Sequence, residues 1–177
     1  MIGLKKGYVR LESHDENWKL IAQKTIETLR MIFKDTAIDI QHIGSTAIQH
    51  IHAKPIIDIV VGVKCLEDVQ TLITSLAQKN IIYRGQDVSN QLLFVMGDSS
   101  QDIRTHHIHI VIHNGLDWNN YINFRDYLNF NTIRAQEYDQ LKIDLAYKYP
   151  NDRDSYTTSK TSLIRQILEE ASIKINP

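Results

Sequence analysis

IDIQHIGSTAIQHIHAKPIIDIVVGV, residues 38–63, holds the pattern from which the rest of the chain is read. From Ile38 to Ile43 apolar and polar residues alternate, the period of a half-buried strand. The strand runs directly into Gly44, Ser45 and Thr46, which read as a tight turn entering a short helix. From Pro55 to Val63 the chain is almost continuously β-branched, interrupted by Asp58 and Gly62, and this predicts a central strand buried on both faces. An acid inside such a strand asks for a chemical reason.

A phosphate supplies one. Gly44 lets the backbone approach a ligand closely because no side chain intervenes. Ser45 and Thr46, at the start of the short helix, turn hydroxyl and N–H groups outward, where the polarity of a helix end favours an anion. Lys54 joins them as a phosphate-binding candidate. Asp58, one strand away, is placed to hold a divalent cation that bridges phosphate oxygens. The purely structural alternative is a helix cap at Gly44 and Ser45, with Asp58 capping a nearby loop.

Outward from this stretch, Tyr8 to Leu11 reads as extended, and Trp18 to Phe33 as a helix with Leu20, Ile21, Ile26, Leu29, Ile32 and Phe33 at helical spacing, capped by Asp15 or Asn17. Leu66 to Leu76 predicts an amphipathic helix, Ile81 to Tyr83 the start of a strand, and Gln91 to Met96 another. Gly97 to Thr105 reads as a polar hairpin-like connection into a strand from His106 to His113. Three helical patterns follow: Trp118 to Asn129, Thr132 to Tyr149, and Thr158 to Ile173. Together these predict one α/β domain over residues 1–177, a small mixed sheet flanked by helices with a helical C-terminal layer.

Seven of the eight histidines fall between His42 and His52 or between His106 and His113. On a regular strand His107, His109 and His113 share a face, where imidazoles bind a metal or exchange protons near neutral pH. The alternative is that they line a solvated face. A third set begins at FRDYL, residues 124–128, and continues through Arg134, Tyr138, Lys142, Arg153, Tyr156 and Lys160, whose cations suit phosphates or carboxylates. Arg125 is the strongest single candidate, and ion pairing on a helix surface is its structural alternative.

Composition narrows the setting. At 42% hydrophobic and 23% charged over 177 residues, the chain has the makings of a real core. Lys and Arg number 20 against 21 for Asp and Glu, so no whole-chain field draws it to nucleic acid or to an anionic membrane. Cys65 is the only cysteine, which excludes an internal disulfide and fits a reducing cytosol. The first residues lack a signal peptide's apolar core, and no apolar run is long enough for a bilayer, so a cytoplasmic location is expected.

The order HIGSTA, AKPIIDIVVGV, HHIHIV, FRDYL, an EYxxLK helix and a YTxxK segment resembles the GrpB family over nearly the entire chain. That family is similar in turn to the nucleotidyltransferase superfamily, in which a GS turn and a spacer lead to a strand bearing two acids that hold the catalytic metals. On that pattern Gly44 and Ser45 match the turn, the ten residues Thr46 to Pro55 match the spacer, and Asp58 is the second acid. Ile56 stands where the first acid should be, and His107 to Ile110 offers imidazole where a third is usual.

The resemblance implies a nucleotide or other phosphorylated small molecule at the GS turn and the Asp58 strand, with nucleotidyl transfer as the reaction. Asp58, His107 and His109 are its catalytic candidates; Gly44, Ser45, Thr46, Lys54 and Arg125 would hold the ligand. Magnesium or manganese is the expected cofactor. One acid among imidazoles suits zinc instead, through His42, Asp58, His107 and His109, in a metal-dependent enzyme of another kind. The remaining reading is a non-catalytic accessory or binding domain, linked to coenzyme A because GrpB-like domains also occur fused to dephospho-CoA kinase.

Overall fold

The computed structural model describes residues 2–88 and 90–175. Helix α1, Asn17–Phe33, buries Trp18, Ala22, Thr25, Ile26, Leu29 and Phe33 along one stripe. Leu20, assigned to that stripe from spacing, is 61% exposed, and Trp18 takes an inward place instead. The N-cap position falls on Glu16, which makes no side-chain cap, rather than on Asp15 or Asn17; Asp15, one residue earlier, accepts the amide N–H of Asn17.

The sheet has six strands: β1 (Leu4–Lys5), β2 (Ala37–Ile43), β3 (Ile57–Val63), β4 (Ile82–Val88), β5 (Gln91–Asp98) and β6 (Ile103–Ile112). Their order is β2-β3-β6-β5-β4, with β1 added against β6. The β3–β6 pair is parallel and the other pairs are antiparallel, so the sheet is mixed as expected. Between Asp98 and Ile103 the connection is shorter than the sequence suggests, because Asp98 Oδ1 accepts from both the amide and the hydroxyl of Ser100 and closes the turn early. The stretch expected as one helix from Leu66 is a 3₁₀ segment, Glu67–Leu72, leading into α2, Ile73–Ala77. There the Thr71 hydroxyl donates to the Asp68 carbonyl, a local bond that competes with regular helix. Tyr8 to Leu11 joins no ladder; Val9 donates to the Pro150 carbonyl, and an isolated bridge pairs Glu12 with Ala53.

Alternation along the strands sorts side chains between two faces. Ile57, Ile59, Val61 and Val63 pack with Ile108, Ile110, Phe94 and α1 into the main core. On the opposite face Ile43, Val60, Val111 and Trp118 form a smaller cluster under α3, Leu116–Phe130. Two further helices, α4 (Thr132–Lys148) and α6 (Thr161–Ile175), close on α3 around Tyr127, Leu128, Tyr138, Ile167, and the loop residues Ile48 and Ile51. A helix unforeseen in the sequence, α5 (Arg153–Thr158), starts where Asp152 accepts from the Ser155 amide. Lys142 is fully buried in α4; its ammonium donates to the His52 carbonyl and lies 3.3 Å from Asp139 Oδ1, tying α4 to the loop before β3. Among the described residues no helix is long and apolar enough to cross a membrane.

His106 turns toward α1, where Nε2 lies 3.2 Å from Thr25 Oγ1 and Nδ1 lies 2.9 Å from Thr105 Oγ1. Burial pushes its pKa down from 6.5 to about 4, and burial does the same to His42. The unfolded chain therefore binds more protons than the folded one between these values, and stability rises with pH across that window. Urea denaturation should show stability falling as pH drops from about 6.5 towards about 4, less steeply in His106→Gln. A midpoint that stays flat across the window, or an unchanged slope in the variant, would contradict this assignment.

Candidate functional site

A cavity of about 400 Å³ opens between the second face of the sheet and the C-terminal helices. Asp58 of β3 and His107 and His109 of β6 form its floor. Gly44, Ser45, Thr46 and Lys54 make one wall; Tyr121 and Phe124 of α3, Tyr138 of α4, and Tyr156 of α5 make the other. The volume suits a small-molecule ligand.

The parallel register sets Asp58 beside His107. His107 Nδ1 lies 3.0 Å from Asp58 Oδ1. Burial by itself would raise the Asp58 pKa; the hydrogen bond and charge of His107, with the charges of His109 and Lys54, outweigh it and hold the carboxyl at about 2. An ionised carboxylate only accepts, so Nδ1 carries the proton and Nε2 faces away, 3.5 Å from Arg153 Nη2. His109 Nδ1 lies 3.3 Å from the Tyr121 hydroxyl, which donates to Gln91 Oε1.

Gly44 is fixed by this pair. Its φ of 70° and ψ of −173° belong to a region essentially reserved for glycine. A Cβ built there would stand 2.5 Å from Asp58 Oδ2, so the carboxylate lies directly against the turn. The element after the turn is a single 3₁₀ turn, Ser45–Ala47, rather than a helix, because Ile48 returns to extended backbone. Few aligned peptide dipoles are left there for an anion, and Ser45 shares the cavity lining with Tyr138.

Cations dominate the remaining lining. Lys54, Lys142, Arg153 and Lys160 border the cavity with Asp58 as their only carboxylate counterpart among its described lining residues. Lys142 is matched by Asp139. Lys54 and Lys160 approach the Tyr156 ring, at 5.3 and 4.3 Å from its centroid. Burial, then repulsion from Arg153 and Lys160, pushes the Lys54 ammonium down to about 7; burial and Arg153 lower Lys160 to about 8, against the pull of Asp58. Lys54 is aimed by its backbone: Ala53 pairs with Glu12, and Gly3 donates to the Pro55 carbonyl.

The structure thus brings together Gly44, Ser45, Thr46, Lys54, Asp58, His107 and His109, and separates two candidates from them. His42 alternates to the other face of β2, where its Nε2 lies 2.9 Å from Thr46 Oγ1 in a different cleft, so it cannot share a metal with Asp58 as the sequence suggested. Arg125 borders that same cleft, donating to Gln41 Oε1 at 3.0 Å and to the His42 carbonyl at 2.9 Å, and its role is to fasten α3 to β2. His113 lies beyond β6 with its ring 4.7 Å from that of Trp118. Among the described residues no group of three or more His, Cys, Asp or Glu is placed to hold a metal ion. Sequence reasoning named Arg153, Tyr156 and Lys160 as a general cationic set without giving them the site; their YTxxK spacing was the available signal.

The profile of the GrpB family, described as GrpB protein, matches residues 8–170. The glutamate-rich protein GrpB of Alkalihalophilus pseudofirmus is 42% identical over 173 residues, covering 96% of this chain and 99% of that protein. The crystal structure of the conserved protein GrpB from Enterococcus faecalis superposes with a TM-score of 0.86 at 30% identity, over 94% of this chain and 99% of that one. Cid1 poly(U) polymerase, solved bound to MgATP, superposes with a TM-score of 0.53 at 13% identity, over 76% of this chain and 44% of that one. The fold is therefore nucleotidyltransferase-like.

Gly44→Ala forces the turn out of its present backbone region and a methyl group against Asp58. Chemical denaturation should show a loss of about 1–3 kcal/mol. An unchanged midpoint would mean that the turn relaxes freely and does not brace the carboxylate.

Proposed function

The chain belongs to the GrpB family, and on that footing we propose that its pocket binds a nucleotide or another phosphorylated small molecule. The observation that carries this reading is the crowding of Lys54, Arg153 and Lys160 at one cavity, where burial and then the neighbouring cations make it harder for the two lysines to stay charged. Like charges gathered in a partly desolvated site are relieved by an anion, and charge-assisted bonds to phosphate are the strong kind. Ser45 and Thr46 would add hydroxyl donors, and Phe124, Ile164 and Leu168 offer an apolar surface to the rest of the ligand. If a group is transferred, His107 would accept the acceptor's proton through Nε2; the Asp58 contact that orients its ring supports this role.

A second reading is a binding or accessory domain that holds the same ligand without transfer. Ile56, buried at the pocket wall where the superfamily pattern has its first acid, favours it.

Thermal-shift and calorimetric titration with nucleoside phosphates, coenzyme A and the matching unphosphorylated nucleosides tests the proposal. A phosphorylated ligand at a hundredfold excess over Kd should stabilise the protein by about 2.7 kcal/mol, and the nucleosides should not. Arg153→Met and Lys160→Met should each weaken binding about tenfold or more. Affinity should also fall as pH rises from about 7 to about 9, because Lys54 and Lys160 lose the protons that the anion favours while the phosphate stays doubly ionised. Equal response to nucleosides and nucleotides, or variants that bind as tightly as the natural chain, would refute the phosphate site.

A further inference from the structure

We propose that Lys54, Arg153 and Lys160 take over in this pocket the charge neutralisation that a divalent cation would otherwise supply, so that a phosphate dianion binds with no metal ion. The inference rests on the phosphate-binding reading above and says how that site recognises its ligand.

The donor set is wrong for magnesium, which demands octahedral oxygen coordination and is held through carboxylates. Ile56 lines the pocket where the superfamily pattern has its first acid, so among the described lining residues Asp58 is the only carboxylate on offer to such an ion. Asp58 is already engaged: Oδ1 accepts from His107, and Oδ2 lies against Gly44, with no room for a Cβ between them. The register partner across the sheet is His107, whose Nδ1–H is donated to that carboxylate and whose Nε2 faces the Arg153 guanidinium. A divalent ion entering here would meet one occupied carboxylate and a cluster of positive side chains.

The charge balance points to the class of ligand. With Lys142 matched by Asp139, Lys54, Arg153 and Lys160 face one carboxylate; when both lysines are protonated, as a bound anion favours, two positive charges are left for that ligand to neutralise. A phosphate monoester carries close to that charge at neutral pH. The cations also come from separate parts of the fold: Lys54 from the loop before β3, Arg153 from α5, and Lys160 from the corner before α6. They can therefore surround a terminal phosphate from more than one side, and Arg153 offers a planar fork to two of its oxygens.

The test is a calorimetric titration of the full chain with inorganic phosphate and with adenosine 5′-monophosphate, each in excess EDTA and again in excess magnesium. The expected result is binding of at least one probe in EDTA, with affinity changed by less than about threefold on adding magnesium, and Lys54→Met weakening it about tenfold or more. Magnesium alone should not raise the melting temperature. Binding that appears only with magnesium would overturn this inference and leave the phosphate site standing. Absence of binding by either probe in both conditions would overturn it together with the reading on which it rests.

Discussion

A carboxylate placed inside a sheet must be given a partner or it will take up a proton, and the arrangement of this protein follows from how Asp58 is given one. His107 stands opposite it because β3 and β6 run parallel in a register that pairs the two positions. Its imidazole donates to the carboxylate and so keeps it charged against the burial that opposes ionisation. Gly44 closes the other side: the turn after β2 comes so near to Oδ2 that a side chain there is excluded. A strand register, a tight turn and the direction in which a histidine ring faces thereby converge on one acid.

The same register divides the sheet's two faces between different tasks. His106 and His107 are neighbours in sequence, yet one is satisfied by Thr25 and Thr105 beneath α1 and the other faces an open cavity. The α1 face is buried and mostly apolar, and it supplies the main core. The other face is covered by helices that arrive from the end of the chain, and they bring the cations that Asp58 alone cannot balance. An apolar foundation and a polar cleft are thus separated by one strand thickness.

Much of this was legible in the sequence, and its limits are physical. Strand periodicity located β2 and β3, and the β-branched run with a lone acid marked an interior strand buried on both faces, although β6 rather than β3 is the middle strand of the sheet. The GS turn and the histidine strand were found because alternation places side chains on faces without reference to distant residues. Arg125 was misplaced because helical spacing tells which residues share a stripe but not what that stripe meets; in α3 it meets the edge of β2. His42 was misgrouped because residues sixteen apart, on two antiparallel strands joined by a loop, have no face relation until the register is known. The site of Lys160 depends on α5, a six-residue helix too short to show a period.

The cavity's two walls are separated by more than a hundred residues, from Lys54 to Lys160. During synthesis the sheet-forming segments emerge first, and the cleft is complete only after the last helices have docked. That final step brings like charges together, so the electrostatics of the unliganded chain oppose the closure that hydrophobic packing around Tyr138 and Ile167 drives. The proposed anion, bound at the cleft, would remove that opposition and act as a latch on the C-terminal helical layer. The C-terminal layer is then the part whose protection from solvent exchange should respond most to occupancy, while the buried strands beneath it stay closed in either state.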